Sequence, residues 1–545
     1  MGNTTSEPLP SQAMPAQKPA TSHRGLILGL TLGLGLCVFL VFDRQSFLHG
    51  MIFNDQPFSW DAVLSSLAAY GHFLFFIYLA LAAAALFLEN RNPDRTVAWL
   101  LVLALLPVAG FILYWIVGPN FRYQVDKRRF RLPKPNVPLP CVPAREKVPL
   151  VKDTIQLIYR SSGSRLALAD KVVVFHDCCD AFARIKECLG KAGRSILVES
   201  FIIENDTLGN EIKDILIERA KAGVHVHVIY DAVGSWKIGK KYVNDLRDAG
   251  VVALPFLPVA FPMFRGANYR NHRKIIVVDG ETAFTGGLNI GNDYVSRNPR
   301  YSYWRDSHME CRGQAVSDLR AIFLNDLAAC GISENDLNRA RTASEPQTEV
   351  GLLNPDGTCP DGHTFMQIVA SGPDTPWDTI EKAYFSVFAR ARSRLWITTP
   401  YLVPGNALTE ALCMSSLSGV DVRLMLPGKA DHSIVHWASM NCLDELLRAG
   451  VRIFLYDNTA FVHAKTLTCD GVLMSVGSAN LDARSLQINF EVQAFVYDRE
   501  LAKAEEAAFE ADMRKSVEVT FVTWRKRSKV RKVKESVGKL FSSLL

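Results

Sequence analysis

The chain has 545 residues, a net charge of +6 at pH 7 and 48% hydrophobic residues, so its length allows several domains with ample core. Its mean hydropathy of +0.08 is high for a soluble protein, and the excess sits in the first 120 residues. Eleven cysteines stand singly except for Cys178 and Cys179, with no C-x-x-C pair and no framework spacing, which argues against a disulfide scaffold or a zinc module. They read as small buried hydrophobes in a protein whose chemistry faces a reducing compartment, the cytosol.

Residues 1–22, rich in Pro, Ser, Thr, Gln and Ala, cannot bury enough apolar surface to offset their ordering entropy and read as a flexible tail. Residues 23–120 read as a membrane region with two or three hydrophobic helices. Its apolar runs are Gly25 to Phe42, Ala62 to Leu88 and Val97 to Gly118. Three such runs in succession favour membrane insertion over three buried core helices. The first is too long for a cleaved leader and no A-x-A site follows it. Tyr114 and Trp115 would suit the headgroup level. Basic residues flank the third run on both sides, Arg91 and Arg95 before it and Arg122, Lys127, Arg128, Arg129 and Arg131 after it. One full span cannot put both groups in the cytoplasm; the larger group carries more weight, and Pro107 and Gly110 also permit a kinked or re-entrant segment. The expectation is a multi-pass membrane protein with its catalytic body facing the cytoplasm.

Residues 121–150 form a basic, proline-punctuated tether. The pattern then becomes α/β. Ser195 to Val198 reads as a strand, Glu211 to Ala222 as an amphipathic helix stopped by Gly223, and Val224 to Tyr230 as the next strand. The same order returns as Leu395 to Thr398, Ala407 to Ser418, Gly419 and Val420 to Leu426. A helix-Gly-strand unit also recurs, at Arg247 to Val251 and Arg448 to Val451. Two similar α/β halves, 151–345 and 346–512, are therefore expected around a pseudo-twofold axis, joined through the less regular Ala340 to Gly362. Residues 513–545 form a basic amphipathic tail in which Trp524, Val530, Val533 and Val537 interleave with lysines and arginines. Such a helix suits an anionic membrane surface; its bland alternative is a helix docked on the body.

The repeat has a chemical centre. His272, Lys274, Asp279, Gly286 and Asn289 return as His463, Lys465, Asp470, Gly477 and Asn480 at a constant offset of about 191 residues, the mark of an internal duplication. His and Lys two residues apart, followed by alternating apolar residues (Ile275 to Val278; Thr466 to Cys469), are expected on one face of a β-strand. Imidazole can attack phosphorus or move a proton near neutral pH, and an ammonium holds phosphate oxygens as a point charge. Together the copies place two His and two Lys around one phosphoryl group, which suggests covalent catalysis without a metal or other cofactor. One His attacks to give a phosphohistidine; the other protonates the departing alkoxide and later deprotonates the second alcohol. Asn289 and Asn480 are the expected phosphate-binding partners of the lysines. Asp306 and Glu491, each about 30 residues beyond its motif, are the expected orienting carboxylates. The six motif positions His272, Lys274, Asp279, His463, Lys465 and Asp470 form the candidate catalytic set, in which Asp279 and Asp470, each before a Gly, are better suited to a strand-end turn than to substrate contact. His225, His227, His308, His432 and His436 read as ordinary core or surface residues.

These residues resemble the phospholipase D superfamily, whose signature is the duplicated H-x-K-x4-D, and more narrowly the bacterial cardiolipin synthases. The narrower resemblance rests on Glu89 to Pro93 with Ala98 to Leu101, Asn268 to Lys274, Thr285 to Ile290, Thr399-Pro400-Tyr401, Leu426 to Lys429 with Asp431-His432, and Gly477 to Asp482. It implies transfer of a phosphatidyl group from one phosphatidylglycerol to another at an anionic membrane, releasing glycerol, with no nucleic acid partner. It also implies His272 as nucleophile and His463 as general acid. The chain departs from the family pattern in an extra apolar run with a polar tail at the start, and in the loop Asp457 to Phe461, which could alter the alcohol accepted. A phospholipase D that hydrolyses headgroups would use the same residues, as would transfer to another alcohol. A nuclease is disfavoured by the membrane runs, and a dead adaptor by the intact His, Lys and Asp positions.

Overall fold

Local chemistry sets where the elements begin and end. The computed structural model describes residues 77–84, 86–87, 93–106, 109–110, 113–114, 118, 148–258, 268–347, 363–429 and 431–542. The chain divides into two units, residues 1–119 and 120–545.

In the first unit a helix runs from Pro93 to Leu105 and stops before Pro107, which can neither donate to the ladder nor let its predecessor stay helical. Trp99 and Leu103 are buried, and Trp99 meets Tyr114 edge-on at 5.2 Å, whereas Val97, Leu101 and Leu105 are exposed. Among the described residues no helix is long and apolar enough to cross a membrane. The polar tail, the run Gly25 to Phe42, most of Ala62 to Leu88 and most of the tether lie outside the described residues.

The second unit is built on one sheet. Its first half contributes β1 (Ala167–Asp177), β2 (Ser195–Ser200), β3 (His225–Asp231), β4 (Val252–Phe256), β5 (Ile275–Val278), β6 (Thr282–Gly286) and β7 (Trp304–Gly313). Its second half contributes β8 (Thr364–Ser371), β9 (Arg394–Thr398), β10 (Leu402–Val403), β11 (Asp421–Pro427), β12 (Arg452–Tyr456), β13 (Phe461–Val462), β14 (Thr466–Cys469), β15 (Leu473–Gly477), β16 (Leu481–Asp482), β17 (Glu491–Tyr497) and β18 (Ser516–Val519). The strand order is β18-β12-β11-β9-β14-β15-β17-β8-β1-β7-β6-β5-β2-β3-β4, with β13 paired to β7 and β10–β16 forming a separate ribbon. Read outward from the centre, β1-β7-β6-β5-β2-β3-β4 matches β8-β17-β15-β14-β9-β11-β12 strand for strand. The halves join edge to edge where β1 pairs antiparallel with β8 through Ala167↔Met366, Leu168↔Phe365 and Ala169↔Thr364. A shared core seals this seam: Met309, Leu319 and Phe323 of the first half pack with Met366, Val476 and Phe490 of the second. Each such fully buried side chain contributes roughly 1.5–3 kcal/mol of apolar burial, which ties the halves into one body.

The predicted elements appear with shifted ends. The helix expected from Glu211 starts at Thr207, because the Asp206 side chain accepts from Gly209 N at 2.8 Å and caps it earlier. Gly223 and Gly419 close equivalent helices with φ of +91° and +92°, a conformation open to glycine and costly to most residues. Residues 348–362 of the expected connector lie outside the described residues.

The C-terminal segment is more integrated than a tail. Ser516–Val519 adds β18 to the sheet edge at β12, and Trp524, expected on the amphipathic helix, lies buried in a short preceding helix, Phe521–Arg525. The last helix, Lys529–Ser542, packs along the helix Ser433–Arg448. Glu535 is fully buried beneath it, accepting from Arg527 at 2.7 Å and Arg531 at 3.0 Å. Gly538 permits this approach, since a Cβ there would collide with the backbone at Ala438. Val530, Val533 and Val537 remain exposed on the outer face.

Candidate active site

The residues just before β5 and β14 carry the repeated His and Lys. The strands begin one residue after Lys274 and Lys465, so both pairs sit on extended leaders rather than within the strands themselves. Each leader crosses to the other half. His272 N donates to Phe490 O at 2.9 Å and Phe490 N donates to Arg270 O; Phe461 N donates to Tyr303 O and His463 N to Arg305 O at 2.7 Å. Arg273, between His272 and Lys274, strengthens the first crossing through Nε to Glu491 O at 3.2 Å and is anchored in its own half by an ion pair with Asp326 at 2.5 Å.

This exchange brings each imidazole to a carboxylate of the opposite half. His272 Nδ1 lies 3.0 Å from Glu491 Oε2, and His463 Nδ1 lies 2.6 Å from Asp306 Oδ2. Both carboxylates are held in turn. The Ser478 hydroxyl donates to Glu491 Oε2, Asn489 Nδ2 approaches Glu491 Oε1 at 3.4 Å, and Ser307 N donates to Asp306 Oδ1 at 2.8 Å. With Nδ1 engaged, each His turns Nε2 toward the cleft. The lysines fold back: Lys274 Nζ donates to His272 O at 2.7 Å, and Lys465 Nζ donates to His463 O and lies 2.9 Å from His463 Nδ1.

Both imidazoles line one cleft of about 650 Å³ together with Asn289 and Asn480. Asn289 Nδ2 donates to the Tyr294 hydroxyl at 2.5 Å, and its Oδ1 accepts from Ile202 N at 3.2 Å. Asn480 Oδ1 is buried with no hydrogen-bond partner among the described residues. Aromatic rings fix the imidazole planes: Phe201 meets His272 edge-on at 5.0 Å, and Trp304 and Tyr294 lie 5.4 and 5.9 Å from His463. Among the described residues no group of three or more His, Cys, Asp or Glu is arranged to hold a metal ion.

Asp279 and Asp470 stand apart from the two imidazoles, at the strand-end turns expected of them. Five residues of extended chain carry each roughly 16 Å from its lysine to the far strand end. There Asp279, at φ +56°, accepts from the backbone N–H of Gly193, Arg194 and Ser195. Asp470, at φ +53°, accepts from Arg392, Ser393 and Arg394 in the same way. They staple β5 to the entrance of β2, and β14 to that of β9.

Burial sets the charge state. It lowers His272 below the ordinary imidazole value against the pull of Glu491, and lowers His463 to about 4, with Lys465 adding to the effect and Asp306 opposing it. Burial also lowers Lys274 to about 7 and Lys465 to about 8, opposed chiefly by Glu491 and by Asp306 respectively. Burial works to raise the two carboxyls, but Lys465 and His463 hold Asp306, and His272 and Lys274 hold Glu491, below their ordinary range. Burial therefore favours two neutral imidazoles beside two lysines that give up their charge more readily than usual. A phosphodiester anion would restore that charge.

Sequence reasoning did not single out Phe201, Tyr294, Tyr401 or Ser478 as site residues. Two of them had a local signal, Tyr401 in the segment Thr399-Pro400-Tyr401 and Ser478 in its place in the motif opposite Gly287. His432, read as ordinary, lies at the cleft rim, and His308 is buried behind Lys274 with burial lowering it to about 4. The loop Asp457 to Phe461 packs on Ser302 and Tyr303, with Ser302 N donating to Thr459 O at 2.8 Å, and does not line the cleft.

Comparison with known proteins shows the family. A family model described as "Cardiolipin synthase, PLD-like domain" matches residues 185–324 and 384–513, and one described as "Phospholipase D-nuclease N-terminal" matches 75–119. The cardiolipin synthase of Halalkalibacterium halodurans is 38% identical over 84% of this chain and 91% of its own length. The major cardiolipin synthase of Bacillus subtilis is 37% identical over 87% of this chain and 98% of its own. The phosphatidylserine synthase structure from Haemophilus influenzae shares the fold, with a TM-score of 0.54 and 15% identity over 72% of this chain and 96% of that one. The chain belongs to the cardiolipin synthase family of phospholipase D-like enzymes.

Proposed function

We propose that this enzyme transfers a phosphatidyl group between two phosphatidylglycerol molecules, giving cardiolipin and glycerol. The observation that carries the reading is the pair of His–carboxylate couples, exchanged between halves, that face one cleft with their Nε2 atoms free. His272 Nε2 attacks phosphorus, and the bond to the glycerol oxygen breaks as His463 delivers a proton to it. A second phosphatidylglycerol then gives its hydroxyl proton to His463, and its oxygen displaces the phosphoryl group from His272. Glu491 stabilises the charge that His272 acquires as it becomes phosphorylated, and Asp306 the imidazolium of His463. Lys274, Lys465, Asn289 and Asn480 hold the phosphoryl oxygens. The assignment of His272 as nucleophile follows the superfamily resemblance. Because burial favours the neutral form of His463, its acid role depends on the negative charge of the bound substrate.

The apolar runs before residue 120 anchor the chain in a bacterial inner membrane with the catalytic unit in the cytoplasm. The exposed Val530, Val533 and Val537, among the lysines of the last helix, add a contact with anionic lipid.

Product analysis tests the reading: purified chain in mixed micelles with labelled phosphatidylglycerol, beside His272→Ala and His463→Ala. Cardiolipin with free glycerol, lost in both variants, is expected. Phosphatidic acid as the main product would sink transfer in favour of hydrolysis.

A further inference from the structure

We infer that the loops after β3 and β11, equivalent in the two halves, form a paired lipid-docking rim that seats the cleft mouth on an anionic bilayer surface. The inference rests on the transfer reading only for the identity of the substrate as a membrane lipid.

Trp236, in the loop after β3, is 73% exposed, and Val233 beside it is 42% exposed. Across the cleft Ile434, just past the β11 loop in the first turn of its helix, is 52% exposed. Val233 itself lines the cleft, and so do His432 and Val435, which flank Ile434 in sequence. Isolated surface apolar residues need no explanation, but a large indole and a branched aliphatic at equivalent places on both lips of the substrate cleft do.

The first loop is built to display its indole. Asp231 Oδ1 accepts from Val233 N at 2.9 Å and Gly234 N at 2.8 Å. Ser235, buried, donates from Oγ to Phe201 O at 3.0 Å and accepts from Ile203 N at 2.9 Å. Gly234 lies so close to Phe201 that a Cβ would collide with its carbonyl. Phe201 is the residue whose ring packs on His272. Trp236 is thus held outward on a turn locked to the wall of the catalytic His.

Charge points to the same occupant. Lys237, Lys240 and Arg300 are exposed at this rim, with Lys237 over the Trp236 ring at 5.6 Å. The acidic groups that line the cleft are engaged within the protein: Asp293 accepts from Asn298 at 2.6 Å, Asp431 accepts from Tyr401 and from His432 N at 2.6 Å, and Asp482 accepts from Ser485 N at 2.7 Å. Exposed cations around an indole suit the headgroup level of a bilayer rich in anionic lipid, each cation adding to the attraction. The helix that carries Ile434 is also the one on which Lys529–Ser542 packs, and that last helix exposes Val530, Val533 and Val537.

The test compares one chemistry in two phases. The full chain is reconstituted in phosphatidylcholine bilayer discs and given either phosphatidylglycerol within the disc or dissolved dibutyryl phosphatidylglycerol from the water. Trp236→Ser with Ile434→Ser is expected to lower the bilayer rate at least tenfold and to leave the dissolved-substrate rate within twofold. An equal loss on both substrates, or no loss on the bilayer, would overturn the rim. A second measurement stands even if the double variant misfolds: lipids brominated on their acyl chains should quench the fluorescence difference between the full chain and Trp236→Phe. An unquenched difference would overturn the inference. Phosphatidic acid in place of a cardiolipin-type product would count against the transfer reading alone, because the ratio of bilayer to dissolved rates still decides the docking.

Discussion

Glu491 Oε2 lies 3.0 Å from Nδ1 of His272, in the opposite half of the duplicated unit, while Asp306 Oδ2 lies 2.6 Å from Nδ1 of His463. Neither half holds a complete His–carboxylate couple of its own. The cleft exists only because the two leaders cross the seam, so the duplication is a requirement of the chemistry and not a mere doubling of sites.

The two couples should separate kinetically when the need for an acid is removed. On phosphatidylglycerol, replacing either member of either couple (His272→Ala, Glu491→Gln, His463→Ala, Asp306→Asn) is expected to lower kcat by about 10²–10⁴-fold. On phosphatidyl p-nitrophenol, whose leaving group departs without a proton, the first-turnover burst of p-nitrophenolate should be nearly normal in His463→Ala and Asp306→Asn, with later turnovers slowed for want of the base, and the burst itself should be lost in His272→Ala and Glu491→Gln. The reverse pattern would exchange the roles of the two His.

The alkaline side of the pH profile should be displaced downward in the free enzyme. Productive binding of an anionic phosphodiester needs both lysines and one imidazole protonated, and burial lowers Lys274 to about 7 and Lys465 to about 8. Lowered values mean that protons leave as pH rises, so kcat/KM on a dissolved substrate should fall with an apparent limb at or below about 7. The bound anion raises the same groups, so the limb of kcat should lie at higher pH. Profiles of both constants between pH 5 and 10 check this. A kcat/KM limb near 10, where an unburied lysine titrates, would contradict it.

The residues beneath the carboxylates differ between copies, and the difference is measurable. At Gly287 a Cβ would collide with the Asp306 carboxylate, whereas the equivalent Ser478 donates its hydroxyl to Glu491. Gly287→Ala is expected to push Asp306 off His463 and lower kcat by about 10²-fold, a misplacement effect. Ser478→Ala removes one of the donors to Glu491 and should lower kcat by about tenfold, corresponding to about 1.4 kcal/mol. Circular dichroism should show both variants folded.

Much of this arrangement could be read from the chain because the chemistry sits in contiguous, repeated segments. His272, Lys274, His463 and Lys465 announce themselves by register, and the helix-Gly-strand units by Gly223 and Gly419. The exchange of carboxylates could not be read, since Asp306 and Glu491 each follow their own motif in sequence and only the seam at β1 and β8 shows which His each one meets. Phe201 and Tyr294 belong to no motif and reach the imidazoles through loops. The C-terminal segment left two readings open because its charge pattern is amphipathic: Glu535 with Arg527 and Arg531 turns one polar stripe inward and docks the helix on the body, while its valines stay outside.

Asp279 and Asp470 belong to the motif without touching the reaction, and their substitution should show it. Each sits at positive φ and accepts from three consecutive backbone N–H groups. Asp279→Ala leaves those donors without a carboxylate and puts a Cβ-bearing residue without a local polar partner in the left-handed region, for a combined cost of about 2–4 kcal/mol. The expected result is a clear fall in unfolding midpoint with little change in kcat per folded molecule and an unchanged pH profile. Asp470→Ala should behave alike, with the added loss of the Ser393 hydroxyl at 2.9 Å. Asn in either position tolerates the left-handed conformation and keeps an acceptor, so Asp279→Asn should recover part of the stability. A large loss of kcat in folded Asp279→Asn would return this aspartate to the catalytic set.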